Sequence, residues 1–213
     1  MPEPMPRTIS VSGTGRVSVS PDIADLRLGV SITEPTVEKA RTANATAMTR
    51  VIDALKASGI AAADIQTTNL TLNPVYDYST NTNPPRLTGY SLSNSVAATI
   101  RDLGAVGRAI DAALEAGATS LDSVAFRVRD PSAAEREARE HAVFDARAKA
   151  DVLAAAAGVS ITGVAAISES GAPIPYPMLR GEMAKMAMSD AATPIETGMN
   201  EIAITVGVTY LID

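Results

Sequence analysis

The chain has 213 residues, 46% of them apolar and 20% charged, enough to bury a core in one large domain or two small ones. Eighteen Lys and Arg stand against 24 Asp and Glu, a formal charge of −6 with no basic cluster, and with five Tyr, two Phe and no Trp neither phosphate gripping nor base stacking is expected, so nucleic acid is not a partner. The absence of Cys and the presence of a single His exclude disulfide frameworks, thiolate zinc sites, iron–sulfur clusters, Cys nucleophiles and multi-His metal centres.

Residues 8–20 (TISVSGTGRVSVS) alternate apolar and small polar residues around Gly13-x-Gly15, the pattern of a half-buried strand with a bulge or bend at the glycines. After Pro21-Asp22 the alternation resumes over residues 23–33, with Leu26, Leu28, Val30 and Ile32 on one face, so the two runs read as a hairpin. Residues 36–58 carry helical periodicity through Val37, Ala40, Ala47, Met48, Val51 and Leu55, with Pro35 at the start and Gly59 past the end. A strand with Ile65, Leu70, Leu72 and Val75 follows, then the polar turn STNTNPPR and a returning strand over 87–100, a second hairpin.

Asp102 is placed to cap a helix over 103–116 with Leu103, Val106, Ile110 and Leu114 as its core face, ended by Gly117. A strand over 119–129 leads to Asp130-Pro131, read as a cap and a first helical residue, and an Ala-rich helix runs to Ala157 with Gly158 as its stop. Residues 159–170 read as a strand, 172–196 as a long loop rich in Pro and Met, and 199–212 as a last, strongly alternating strand.

The order is ββ-α-ββ-α-β-α-ββ. It argues an α+β fold, a mostly antiparallel sheet built from hairpins with helices packed on one face. Residues 1–6 read as a flexible N-terminus and 7–213 as a single domain, since no unpatterned polar stretch falls mid-chain to act as a linker. The longest uncharged run, residues 152–168, includes Gly158, Ser160, Thr162 and Gly163 and lacks the apolar length of a membrane span. The opening MPEPMPR has no apolar region of the kind an intact signal peptide carries, and fits a mature start.

Four groups of residues carry candidate chemistry. His141, Asp145 and Lys149, at i, i+4 and i+8 on one helix face, read either as a His oriented by a carboxylate for proton transfer or as a row of helical ion pairs. Asp22, Asp25 and Glu34 read either as ligands for a hard cation or as solvated hairpin charges, with no dense acidic loop to favour the cation. Asn73, Tyr76, Asp77, Tyr78 and Tyr90 gather most of the Tyr residues at one hairpin, either as a recognition surface or as cover for the sheet end.

The fourth group is the 172–196 loop. It is longer than ordinary connections, and Met178, Met183, Met186 and Met188 put four of the eight Met into eleven residues. Three readings compete: an adaptable apolar arm docking on a neighbouring subunit or partner, a soft-metal site or oxidant trap, and a disordered insert. The docking reading assigns contacts to Pro175, Tyr176, Met178, Met183, Met186 and Met188. No nucleophile–base pair, cofactor fingerprint or metal-ligand set stands out, so the expectation is a protein that is not an enzyme and needs no cofactor.

The ordered features resemble the SIMPL-domain family. The resemblance rests on ISVSGTGRVSVSPD (9–22), IDALKASGIAAADIQTTNLTLNPVYDY (52–78), LTGYSLSNSVAATIRDL (87–103), DARAKADVLAAAAG (145–158) and TPIETG (193–198) before the final strand. It covers residues 7–213. Members include a periplasmic immunogenic protein and a bacterial protein linked by name to oxidative-stress defence. The resemblance implies an α+β fold, export to the periplasm or cell envelope, and homo-oligomers that tend to be ring-like. It supplies no catalytic residues to carry over.

Overall fold

The computed structural model describes residues 6–79, 84–170, 176–178 and 193–213, with only the backbone described at 176–178. The elements are β1 (Thr8–Val19), β2 (Ile23–Glu34), α1 (Val37–Ala57), β3 (Ile65–Asp77), β4 (Arg86–Ile100), α2 (Val106–Glu115), β5 (Ser120–Arg127), α3 (Ser132–Ala157), β6 (Ile161–Ser170), β7 (Tyr176–Met178) and β8 (Met199–Ile212). Every pairing between strands is antiparallel, and the fold class is α+β. The strands form two sheets, ordered β1-β8-β6 with β7 also on β8, and β3-β4-β2-β5.

The first hairpin is therefore corrected. β1 pairs with β8 and β2 with β4 and β5, so the two strands that flank Pro21-Asp22 belong to different sheets. Alternation on both sides of a Pro-Asp break marks two strands and a turn, but it does not choose their partners. The second hairpin holds, as β3 and β4 pair.

The chain divides into two compact units. One comprises the described parts of Met1–Pro21, Val128–Glu182 and Gly198–Asp213; the other comprises those of Asp22–Arg127 and Met183–Thr197. Neither is a continuous stretch, which is why no linker shows in the sequence.

In the first unit one face of α3 is a column of alanines, Ala138, Ala142, Ala146, Ala150 and Ala154, all buried. It lies on β1 and β8 against Ile202, Ile204, Val206, Val208 and Tyr210. The Gly13-x-Gly15 pair explains how close it lies. A Cβ on Gly13 would sit 2.0 Å from the Ala142 carbonyl oxygen, and one on Gly15 would sit 1.9 Å from that of Ala138. The register of β1 with β8 is unbroken through both glycines, so the expected bulge is corrected: they are flat-strand positions where a helix backbone presses on a strand backbone. Gly158, in the left-handed region at φ 68°, ends α3 as the sequence predicts.

In the second unit α1 packs on one face of β2 and β4, and α2 packs on α1. Leu26, Leu28, Val30, Val96, Ala98 and Ile100 meet Met48, Val51, Leu55, Val106, Ala109 and Ile110. Thr36, directly after Pro35, caps α1 by accepting from the Lys39 amide at 3.3 Å. The α1 face also includes a polar residue, Asn44, buried and donating to the carbonyls of Val30 (2.8 Å) and Leu92 (3.0 Å). Those bonds offset the cost of burying its amide and tie the helix to both central strands.

Two helix starts are also corrected. Residues 103–105 form a separate 3₁₀ turn before α2. Within α2, Val106 and Ile110 face the core as expected, but two steps of four residues carry Leu114 about 80° round from Val106: Ala113 is buried while Leu114 is 45% exposed. Pro131 stands at the cap of α3 and Ser132 is first in the helix, with Asp130 accepting from the Ser132 amide at 3.1 Å. The expected segment 1–6, apart from Pro6, and most of the 172–196 loop lie outside the described residues.

Candidate functional site

The charged row on α3 binds backbone. Lys149 Nζ donates to Asp145 at 2.7 Å and to the Ser12 carbonyl at 3.0 Å, and the Thr14 amide donates to Asp145 Oδ2 at 2.8 Å. Ser12 and Thr14 lie on β1, an edge strand of its sheet. One carboxylate and one ammonium thus occupy main-chain groups that an added strand would need. The Lys149 hydrogen bond, reinforced by the Thr14 amide, holds the Asp145 carboxyl below its usual range. His141 is exposed, and none of these bonds reaches it. The structure brings Asp145 and Lys149 together and leaves His141 out. Beside Lys149 lies an open hollow of about 610 Å³, lined by Val11, Ser12, Ala148, Lys149, Val152 and Leu153.

The acidic group around β2 is dispersed. Asp25 accepts from Arg127 through Nε and Nη2 and from Thr99 Oγ1 at 2.8 Å. Burial pushes its carboxyl up, but the Arg127 and Thr99 hydrogen bonds outweigh it and leave it lowered. Glu34 lies at the far end of β2. Among the described residues no three His, Asp or Glu side chains gather as a metal site. A smaller hollow of about 310 Å³ contains Asp64 and Arg101, joined by two hydrogen bonds of 3.0 and 2.7 Å.

The β3–β4 hairpin presents the other candidate surface. Along β3 only Ile65 joins the core as a partly buried residue, and the strand is exposed from Gln66 to Pro74. Leu70 is 65% exposed and Leu72 41%. They share a face with Tyr76, 43% exposed, because strand side chains alternate. The cross-strand partners Leu72↔Leu92 and Leu70↔Asn94 place that face on the side of the sheet that α1 covers farther in. Tyr76 and Tyr78 meet edge to face, ring centres 6.4 Å apart, and Asp77 turns the chain by accepting from the Ser79 amide and hydroxyl. The Tyr cluster is thus outward-facing at Tyr76 and Tyr78 and half-buried at Tyr90. The leucines beside it were legible only as strand residues, since alternation marks a face without saying whether a helix covers it.

Of the loop contacts, Pro175, Met183, Met186 and Met188 lie outside the described residues, and Tyr176 and Met178 are described only as backbone of β7.

A family pattern described as SIMPL, Protein of unknown function (DUF541), matches residues 9–210. The chain belongs to the SIMPL family. This SIMPL protein is 39% identical over 211 residues to the 26 kDa periplasmic immunogenic protein of Brucella melitensis, covering 96% of this chain and 84% of that one. It matches the protein of the same name from Brucella abortus S19 at 39% over the same span. It is 33% identical over 146 residues to the uncharacterized protein YggE of Escherichia coli K12, covering 68% of this chain and 58% of YggE. No described helix is long and apolar enough to cross a membrane.

Proposed function

We propose that residues 7–213 act as one SIMPL-type module of the periplasm or cell envelope, a non-enzymatic structural or binding protein that assembles into a homo-oligomer. The observation that carries this reading is the row of apolar side chains left uncovered on well-formed elements: Leu70, Leu72 and Tyr76 on β3. Contiguous exposed apolar patches mark interaction surfaces in soluble proteins. The periplasmic location is supported by the name of the Brucella relatives. The non-enzymatic reading is supported by Asp145 and Lys149, whose hydrogen bonds go to β1 backbone rather than to His141. Light scattering on the full chain at micromolar concentration tests it. A defined multiple of the chain mass is expected; a monomer at all concentrations overturns assembly.

A second reading rests on the four Met between residues 178 and 188. Thioethers bind Cu(I) and take up oxidant reversibly, which would make the segment a metal buffer or an oxidative-stress device. Met178 to Met188 left intact by mild peroxide, together with no Cu(I) binding, would end it. Replacing residues 173–192 by a Gly-Ser linker separates the readings: loss of the oligomer makes the segment a docking arm for a neighbouring subunit or protein partner.

A further inference from the structure

We infer that the exposed edge of β3 is a self-pairing surface, and that its occupant is the β3 of a second copy, joined antiparallel across a two-fold axis at Thr71. The inference rests on the assembly reading above and assigns it a surface.

Backbone direction comes first. The Thr119 amide donates to the Gly29 carbonyl at 2.9 Å, and Thr119 Oγ1 accepts from the Ser31 amide at 2.7 Å. The peptide groups of Gly29 and Ser31 therefore point toward the β5 side of β2, away from β4. Antiparallel ladders alternate, so in the registers Ser31↔Ser93 and Thr71↔Ser93 Ser93 and Thr71 direct their peptide groups at each other. Leu70, Leu72 and Pro74, one step out of phase, direct theirs to the open edge. Pro74 has no N–H to lose there, the placement proline requires in a sheet.

The sequence of that edge is self-complementary. Residues 69–73 read Asn-Leu-Thr-Leu-Asn, the same in both directions. In an antiparallel pair centred on Thr71, Leu70 falls opposite Leu72 of the second copy and Leu72 opposite its Leu70. Both pairs have outward peptide groups, so each exchanges two main-chain hydrogen bonds. The four leucine side chains then meet on one face, and Thr71 meets Thr71 on the other, an arrangement favourable for both kinds of pair. No charged residue lies between Ile65 and Val75, so nothing in the stretch repels its copy, although the whole chain is acidic. Shifts of register after Thr67 and after Val75 bound the straight segment on both sides.

The absence of Cys from the chain provides a clean test. The Thr71 pair is one without mutual hydrogen bonds, where Cα atoms lie about 4.5 Å apart, within disulfide range. Thr71→Cys, a substitution of similar size at an exposed position, should give a disulfide-linked dimer under mild oxidation. Ser123→Cys, on the opposite edge strand β5, should not. In parallel, Leu70→Lys with Leu72→Lys should lower the native mass by light scattering, with circular dichroism confirming the fold. Should the lysine variant fail to fold, the Thr71→Cys result decides alone. An oligomeric wild type with no Thr71→Cys link, or with equal linking of Ser123→Cys, overturns β3 pairing and leaves assembly standing. A monomeric wild type overturns both.

Discussion

β1 and β3 each end a sheet, and the chain treats them in opposite ways. β1 is pressed under α3, and its outward Thr14 amide and Ser12 carbonyl are taken by Asp145 and Lys149. Among the described residues β3 has no such cover: Leu70 and Leu72 lie exposed on it, and no charge falls from Ile65 to Val75. Exposed strand edges invite added strands, and charges placed at an edge deter them. The contrast teaches that exposed edges here are treated selectively: one is closed by side chains reaching back from a helix, the other keeps the main-chain groups that an added strand would need.

The most severe way to break the contrast is to lift the helix off β1. In Gly15→Val, the added Cβ alone would fall 1.9 Å from the Ala138 carbonyl oxygen and 2.6 Å from the Ala142 amide nitrogen, backbone atoms that cannot rotate away. The expected cost is about 3 kcal/mol or more, read as a loss of denaturation midpoint. Because the same helix carries Asp145 and Lys149, the variant should also open the β1 edge and associate at raised concentration. A midpoint within error of the wild type would mean that α3 does not lie as close as the glycines indicate.

Local pattern located most of the strands and helices: the alternation of β8, the Ala column of α3 and the Gly158 stop fall where the periodicity puts them, while the start of α2 and the short β7 inside the expected 172–196 loop do not. What pattern could not deliver was partnership over distance. The β1–β2 hairpin fails because a three-residue Ser20-Pro21-Asp22 break serves equally a hairpin and a strand leaving for another sheet. Gly13-x-Gly15 was visible as a weak point in a strand, but its cause lies on a helix about 130 residues away. Asp145 and Lys149 were rightly paired by their i, i+4 spacing; that they also hold β1 backbone depends on the packing of α3, which no spacing encodes. Exposure of Leu70 and Leu72 was illegible for a similar reason, since α1 covers β2 and β4 without reaching across to enclose β3.

Acid gives a milder way to separate the two edges. The Asp145 carboxyl is held below its usual range by Lys149 and the Thr14 amide. A carboxyl lowered in the folded state contributes stability above its unfolded value, near pH 3.9, and that contribution is lost as pH falls through the folded value. Protection of the Thr14 amide against hydrogen exchange should therefore fall over the acid range below about pH 4. Asp145→Asn should remove the acid step while keeping a hydrogen-bond acceptor for Thr14. The straight part of β3 contains no titratable group from Ile65 to Val75, so its exchange pattern should show no step of its own there. A Thr14 amide equally protected in the Asp145→Ala protein would show that the carboxylate does not guard β1.

The smallest expected effect is the sharpest on the β3 side. Leu70→Thr removes an exposed leucine and substitutes a residue that strands accommodate well. Were Leu70 part of a core, the truncation would cost about 2 kcal/mol or more. At 65% exposure it should shift the stability of the isolated chain by no more than about 0.5 kcal/mol, measured by denaturant unfolding at a concentration low enough to keep the chain dissociated. If β3 pairs with a second copy, the same substitution should lower the midpoint at high concentration more than at low, because only the paired state buries the leucine. A large, concentration-independent loss would place Leu70 against something within its own chain and remove the contrast between a closed β1 and an open β3.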